Sequence, residues 1–204
     1  MSHVSTVEKV VEYKGPGTRF AAVVWLALTI VVLCVLAPWP SRAADLELLS
    51  VGVRARVGEK RVLGKEQPES FREYDVMASI QLPWEGPSPS GWGVGARLLA
   101  SAGVLQGAGK TALVASIIPA LAFGRQDGRF TVDLGAGLAL LSKHRYAQQD
   151  YGGPLQFALT FGVGVPLYQR VGVGYRFLHY SDAGANGPDT IGADFHMVEL
   201  IYRF

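Results

Sequence analysis

The residues of this 204-residue chain whose types and spacing could do chemistry lie in one stretch near its carboxyl end: His179, Ser181 and Asp194. They supply an imidazole, a hydroxyl and a carboxylate. A serine hydroxyl needs a base to become a nucleophile. An imidazole can be that base, and a carboxylate can fix the imidazole's tautomer and stabilise its charged form. The chemistry such a set performs is nucleophilic attack by the serine oxygen, assisted by the base. Two residues apart, His179 and Ser181 would share one face of a strand, ~7 Å apart at Cα by strand rise. Asp194 joins them only if the segment between folds back.

Other sites of obvious kinds are missing. Gly107-Ala108-Gly109-Lys110-Thr111 resembles the end of a phosphate-binding loop, but the glycine that loop needs five residues before Gly109 is Val104. His3 and His144 have no partners at metal-ligand spacing, and no Gly-x-Ser-x-Gly elbow is present. The single cysteine, Cys34, lies in the amino-terminal apolar run. No disulfide, thiol nucleophile or cysteine metal site is therefore expected downstream.

The elements that must position the three residues read as strands. After Ala43 apolar residues alternate with polar or small ones, broken by turn residues. Phe130, Val132, Leu134, Ala136, Leu138 and Leu140 stand against Thr131, Asp133, Gly135, Gly137 and Ala139. Eight such segments are expected at 46–57, 71–84, 92–102, 111–123, 129–141, 155–165, 169–179 and 194–204, the fourth being the least regular. Connections at 58–70, 142–153 and 180–193 are long, while those at 124–128 and 166–168 are short. An even strand number with turns alternating in length is the pattern of a closed antiparallel membrane barrel.

A soluble sandwich or lipocalin-like barrel would need a charged outer face. Here the non-apolar face is mostly Gly, Ala, Ser and Thr, with charges of both signs at Arg54, Arg56, Glu73, Asp75, Arg97, Asp133, Arg176, Glu199 and Arg203. That suits the narrow lumen of an eight-stranded barrel. Val198, Leu200, Tyr202 and Phe204 carry the oily alternation to the last residue. The expected fold is all-β, an eight-stranded antiparallel transmembrane β-barrel. In it the parity of Val171 to Phe177 carries His179 and Ser181 outward near the outer rim. The parity of the last strand does the same for Asp194 and, one step down, His196. Polar groups aimed at lipid are costly unless satisfied or used. On spacing alone they remain either a catalytic set or interfacial polar residues.

The amino terminus reads as an export leader. Phe20 to Ala37 is almost unbroken apolar sequence, preceded by Lys9, Lys14 and Arg19 and followed by Ser41-Arg42-Ala43, a signal-peptidase pattern. The expected organisation is a signal peptide at 1–43 and a barrel at 44–204. Without the leader's four basic and two acidic residues, 15 of each sign remain. No basic field for nucleic acid exists.

The segment His179-Tyr180-Ser181-Asp182-Ala183-Gly184, with Pro188-Asp189 and Gly192-Ala193-Asp194, resembles the PagL-type lipid A 3-O-deacylases. The resemblance covers about 16 residues before the final strand. It implies an eight-stranded barrel in the bacterial outer membrane, lipid A or lipopolysaccharide as substrate, no cofactor or metal, and a homodimer. It also implies Ser181 as nucleophile, His179 as general base and Asp194 as the acid. Asp194 stands one residue later than the family's Glu, so a shorter side chain must reach the imidazole. Asp182 and Asp189 replace asparagines that the family keeps near its oxyanion site. Backbone amides near Ala183 and Gly184 would then serve there. The alternative function is a non-catalytic barrel with a structural or adhesive role.

Overall fold

The structure, a computed structural model, describes residues 46–63, 67–86, 91–125, 130–187 and 189–204. The expected leader at 1–43 and Pro188 lie outside them. Among the described residues ten strands form: β1 Glu47–Gly58, β2 Phe71–Gly86, β3 Trp92–Gly107, β4 Lys110–Arg125, β5 Thr131–Leu141, β6 Arg145–Tyr146, β7 Gln149–Asp150, β8 Leu155–Tyr168, β9 Val171–Ser181 and β10 Ala193–Arg203. Eight of them close into a barrel in the order β1-β10-β9-β8-β5-β4-β3-β2. Every neighbouring pair is antiparallel, and β10 returns to β1 with Arg203 opposite Ser50.

Alternation sets the two faces. Val76, Ile117, Leu134, Leu155 and Leu200 are exposed on the outside, whereas Asp75, Ser116, Asp133, Gln156 and Glu199 are buried inside. A soluble protein would not present such a belt; a bilayer solvates it. Inside, Arg54 donates to Asp75 at 2.6 and 2.9 Å. Arg176 donates to Glu199 at 2.6 Å, to both oxygens of Asp133 at 2.6 and 3.0 Å, and to Thr160 at 3.0 Å. A Cβ on Gly162 would lie 2.5 Å from the Arg176 guanidinium. The small residues of the inner face are there to make room for such side chains.

Each expected strand corresponds to a barrel strand, with differences at the ends. β3 and β4 run on into a two-residue turn at Ala108-Gly109, both with positive φ. The glycine-rich Gly107–Thr111 stretch is thus a hairpin, and one connection at the end with the long loops is tight. β4 alternates weakly because its inner face is itself apolar: Ala112, Val114, Ile118, Ala120 and Ala122 are all buried. The connection expected at 142–153 contains the β6-β7 pair, whose two-residue strands are too short to show a period. β9 extends to Ser181 and β10 begins at Ala193, so all three candidate residues stand in paired strands.

Candidate active site

Strand register brings the imidazole and the carboxylate together. His179 of β9 lies directly opposite Asp194 of β10. Their side chains leave the same face, and His179 Nδ1 meets Asp194 Oδ1 at 2.6 Å. The aspartate has no distance to make up, because a directly opposite partner is within reach of a short acid. A carboxylate only accepts, so Nδ1 carries the proton and Nε2 is left as the basic nitrogen of the neutral ring.

Ser181 follows on the same face, and Gly192 shows how closely it approaches. A Cβ built on Gly192 would lie 3.0 Å from Ser181 Cβ, 3.1 Å from His179 Cε1 and 2.7 Å from the Tyr180 carbonyl oxygen. Hydroxyl-bearing carbon and imidazole thus converge on the spot that this glycine leaves empty.

The expected outward parity holds, but the residues are not bare to lipid. His179 is 1%, Asp194 2% and Ser181 9% exposed. The β9-β10 connection is held from the side by the β5-β8 connection. Gln149 Nε2 donates to the Ile191 carbonyl at 2.5 Å, and the Ile191 N–H donates to the Asp150 carbonyl at 2.8 Å. From the other side comes the β1-β2 connection. Between Arg56 and Gly58 β1 advances two residues for one of β10, a bulge that swings the chain across the outer face. The N–H groups of Val62 and Leu63 then donate to Asp194 Oδ2 at 2.5 and 2.7 Å. One carboxylate oxygen serves the imidazole and the other anchors a loop.

Asp182 is occupied by donors of its own loop. Its Oδ1 accepts the Gly184 N–H at 2.9 Å and the Thr190 hydroxyl at 2.8 Å, and its Oδ2 accepts the Asn186 N–H at 3.0 Å and side-chain amide at 3.1 Å. Burial raises this carboxyl's pKa, but the four donors outweigh it and hold it below the ordinary carboxylate range. The Gly184 amide, expected to serve near an oxyanion, donates to Asp182 in this structure. Ala183, at φ 54°, and Gly184, at φ 82°, form the exposed turn that lets the chain double back over Asp182. Asp189 is exposed on the same loop.

The residues that sequence reading missed are those acting through the main chain. The amides of Val62 and Leu63 carry no sequence signature, since any residue but proline supplies an N–H. Arg56 was legible only as a lumen charge. It binds the carbonyls of Gly58, Phe71 and Asp194 at 2.9, 2.6 and 3.2 Å, tying the rims of β1, β2 and β10 together.

The family model described as lipid A 3-O-deacylase (PagL) matches residues 72–203 of this chain. Lipid A deacylase PagL of Pseudomonas aeruginosa is 31% identical over 84 residues, covering 41% of this chain and 49% of that protein. Lipid A deacylase PagL of Bordetella bronchiseptica is 30% identical over 76 residues, covering 37% of this chain and 42% of that protein. The chain thus matches less than half the length of either relative. The crystal structure of the outer membrane enzyme PagL superposes with a TM-score of 0.61 at 20% identity, covering 76% of this chain and 99% of that one. That likeness is one of fold.

Proposed function

The chain belongs to the lipid A 3-O-deacylase (PagL) family, and on that premise we propose that it is an outer-membrane ester hydrolase that removes the 3-O-linked hydroxyacyl chain of lipid A. The observation that carries this reading is the 2.6 Å bond from His179 Nδ1 to Asp194 beside Ser181, on the outward side of the barrel. Lipid A cannot leave the bilayer, so an enzyme acting on it needs its machinery on the lipid side of the wall.

In the proposed reaction Ser181 Oγ attacks the ester carbonyl carbon while His179 Nε2 takes the hydroxyl proton. Asp194 stabilises the imidazolium that results. The main-chain N–H groups of Asp182 and Ala183, which follow the nucleophile, are the donors proposed for the tetrahedral oxyanion, since the Gly184 amide is engaged. Collapse breaks the carbon–oxygen bond to the sugar, whose 3-oxygen takes the proton from His179. Water, deprotonated by His179, then attacks the acyl-serine and releases the 3-hydroxy fatty acid. Leu155, Phe157, Leu159 and Phe161 form an apolar ribbon on the outward face of β8, next to Ser181 and His179, along which the acyl chain can lie.

We also read 1–43 as a cleaved leader, which amino-terminal sequencing of the membrane-inserted protein checks. The homodimer that the family resemblance implies is checked by crosslinking in native membranes. The activity itself is tested by mass spectrometry of lipid A from cells expressing the wild type, Ser181→Ala or His179→Ala. Loss of one hydroxyacyl mass is expected with the wild type only. Unchanged lipid A alongside a folded wild-type barrel would overturn the enzymatic reading in favour of a structural or adhesive barrel. Full activity in Ser181→Ala would overturn the nucleophile.

A further inference from the structure

A second histidine occupies the same outward face one step below the acid. His196 lies two residues after Asp194 on β10, and both ring nitrogens are engaged. Nδ1 meets the Tyr175 hydroxyl at 2.6 Å and Nε2 meets the Lys60 carbonyl at 2.5 Å. A carbonyl can only accept, so Nε2 carries the proton and the Tyr175 hydroxyl donates to Nδ1. The ring packs beside Tyr175 and Phe177, with centroids 6.0 and 5.5 Å away.

Lys60 is the start of the segment whose next two residues but one reach the acid. From the bulge, the chain passes Gly58, where a Cβ would lie 3.3 Å from His196 Cβ. Its Lys60 carbonyl then sits on His196, and its Val62 and Leu63 amides sit on Asp194 Oδ2. These contacts follow one another up β10 in the same order as along the loop. The loop residues Gly58 to Leu63 precede those that the family model matches, whereas Asp194 and His196 lie within them.

We propose that His196 is a positioning residue: oriented by the Tyr175 hydroxyl, it fixes the Lys60 carbonyl and thereby seats the Val62 and Leu63 amides on Asp194. It touches no reacting atom and acts through the acid on His179. An Asp194 carboxylate whose second oxygen is anchored has one orientation. The same carboxylate without the loop can rotate about its side-chain bonds, and the imidazole loses its fixed partner. The effect falls on the chemical step, where base and nucleophile must be aligned, rather than on substrate capture.

The inference rests on reading Asp194 as the acid of the hydrolase, and its test separates the two. With the membrane-inserted protein extracted into lipid A mixed micelles, His196→Ala should lower kcat by about tenfold or more with KM little changed. His196→Gln places an amide donor near the Nε2 position and should recover most of that loss. In an Asp194→Asn background the step from His196 to Ala should cost almost nothing, because the residue acts through the acid. Hydrogen exchange at the Val62 and Leu63 amides, which needs no activity, should show protection lost in His196→Ala and retained in His196→Gln.

An unchanged kcat in His196→Ala overturns the proposal. So does an equal fold-loss in the Asp194→Asn background, which would mark a general structural defect. If lipid A is not hydrolysed even by the wild type, the reading of the enzyme fails and the exchange data alone decide the clamp: unaltered protection in His196→Ala overturns it. If His196→Ala does not yield a heat-modifiable barrel, Tyr175→Phe takes its place, with a smaller loss of kcat and of amide protection expected and no change in either overturning the proposal.

Discussion

The two oxygens of Asp194 divide their work, Oδ1 with the imidazole and Oδ2 with two loop amides. A carboxamide cannot satisfy both arrangements, since one of its ends donates. Asp194→Asn should therefore leave the barrel intact and reduce kcat on the order of 10³ to 10⁴-fold, as loss of the orienting acid does in comparable triads. Asp194→Glu is the more pointed substitution. Although the family pattern carries a glutamate, that residue stands one position earlier. At a position directly opposite His179 the extra methylene pushes the carboxylate past the ring. Deacylation is expected to fall on the order of 10²-fold, the scale of an ångström of misplacement, and kinetics on purified protein would show it.

At the scale of elements the site depends on how tightly the β9-β10 connection folds back. A methyl group at Gly192 would meet Tyr180 O, Ser181 Cβ and His179 Cε1 at once. Gly192→Ala must therefore displace the strand end, costing about 1 to 3 kcal/mol of stability as overpacking does. It should cost activity more than it costs thermal stability, and paired melting and lipid A assays would separate the two.

Asp182 staples the other half of the same loop. A carboxyl whose folded pKa is depressed stabilises the fold above its unfolded value of about 4 and loses that contribution as pH falls through the folded one. The loop should thus stay ordered through neutral and mildly acidic pH and loosen only below about pH 4. Amide exchange at Gly184 and Asn186, corrected for intrinsic rates, checks this. Asp182→Ala should show the loosened loop at every pH.

Across the whole molecule a charged network fills the lumen below the site. Arg176 stands between Asp133 and Glu199, and Arg54 between Asp75 and Glu199, all of them buried. Removing one partner strands the others in a water-poor interior. Arg176→Met should destabilise the barrel by about 3 to 5 kcal/mol, measurable as a lowered urea midpoint in lipid vesicles. Above the network, Phe71, Tyr146 and Tyr151 pack edge to face, Phe195 packs tilted against Phe71 and Tyr180, and together these rings close the outer end of the interior. The wall between lumen and bilayer is one strand thick. Arg176 holds the inner side of β9 while His179, three residues on, stands on its outer side.

Alternation by itself determined the strands, their faces and the outward parity of His179, Ser181 and Asp194, because a period of two has only two phases and one of them is oily. The short motif before the last strand was legible in the same way, as a local arrangement of residue types. The pairing of β9 with β10 was not, since register depends on where two strands stop rather than on what each contains. Only the folded barrel set Asp194 directly opposite His179 and removed the apparent problem of a short acid. The loop contacts were further from view still. Val62 and Leu63 serve through backbone amides, and Asp182 is taken up by its own loop because Gly184, Asn186 and Thr190 offer it donors. Main-chain groups look alike in every sequence, so only tertiary structure decides which of them meet a carboxylate.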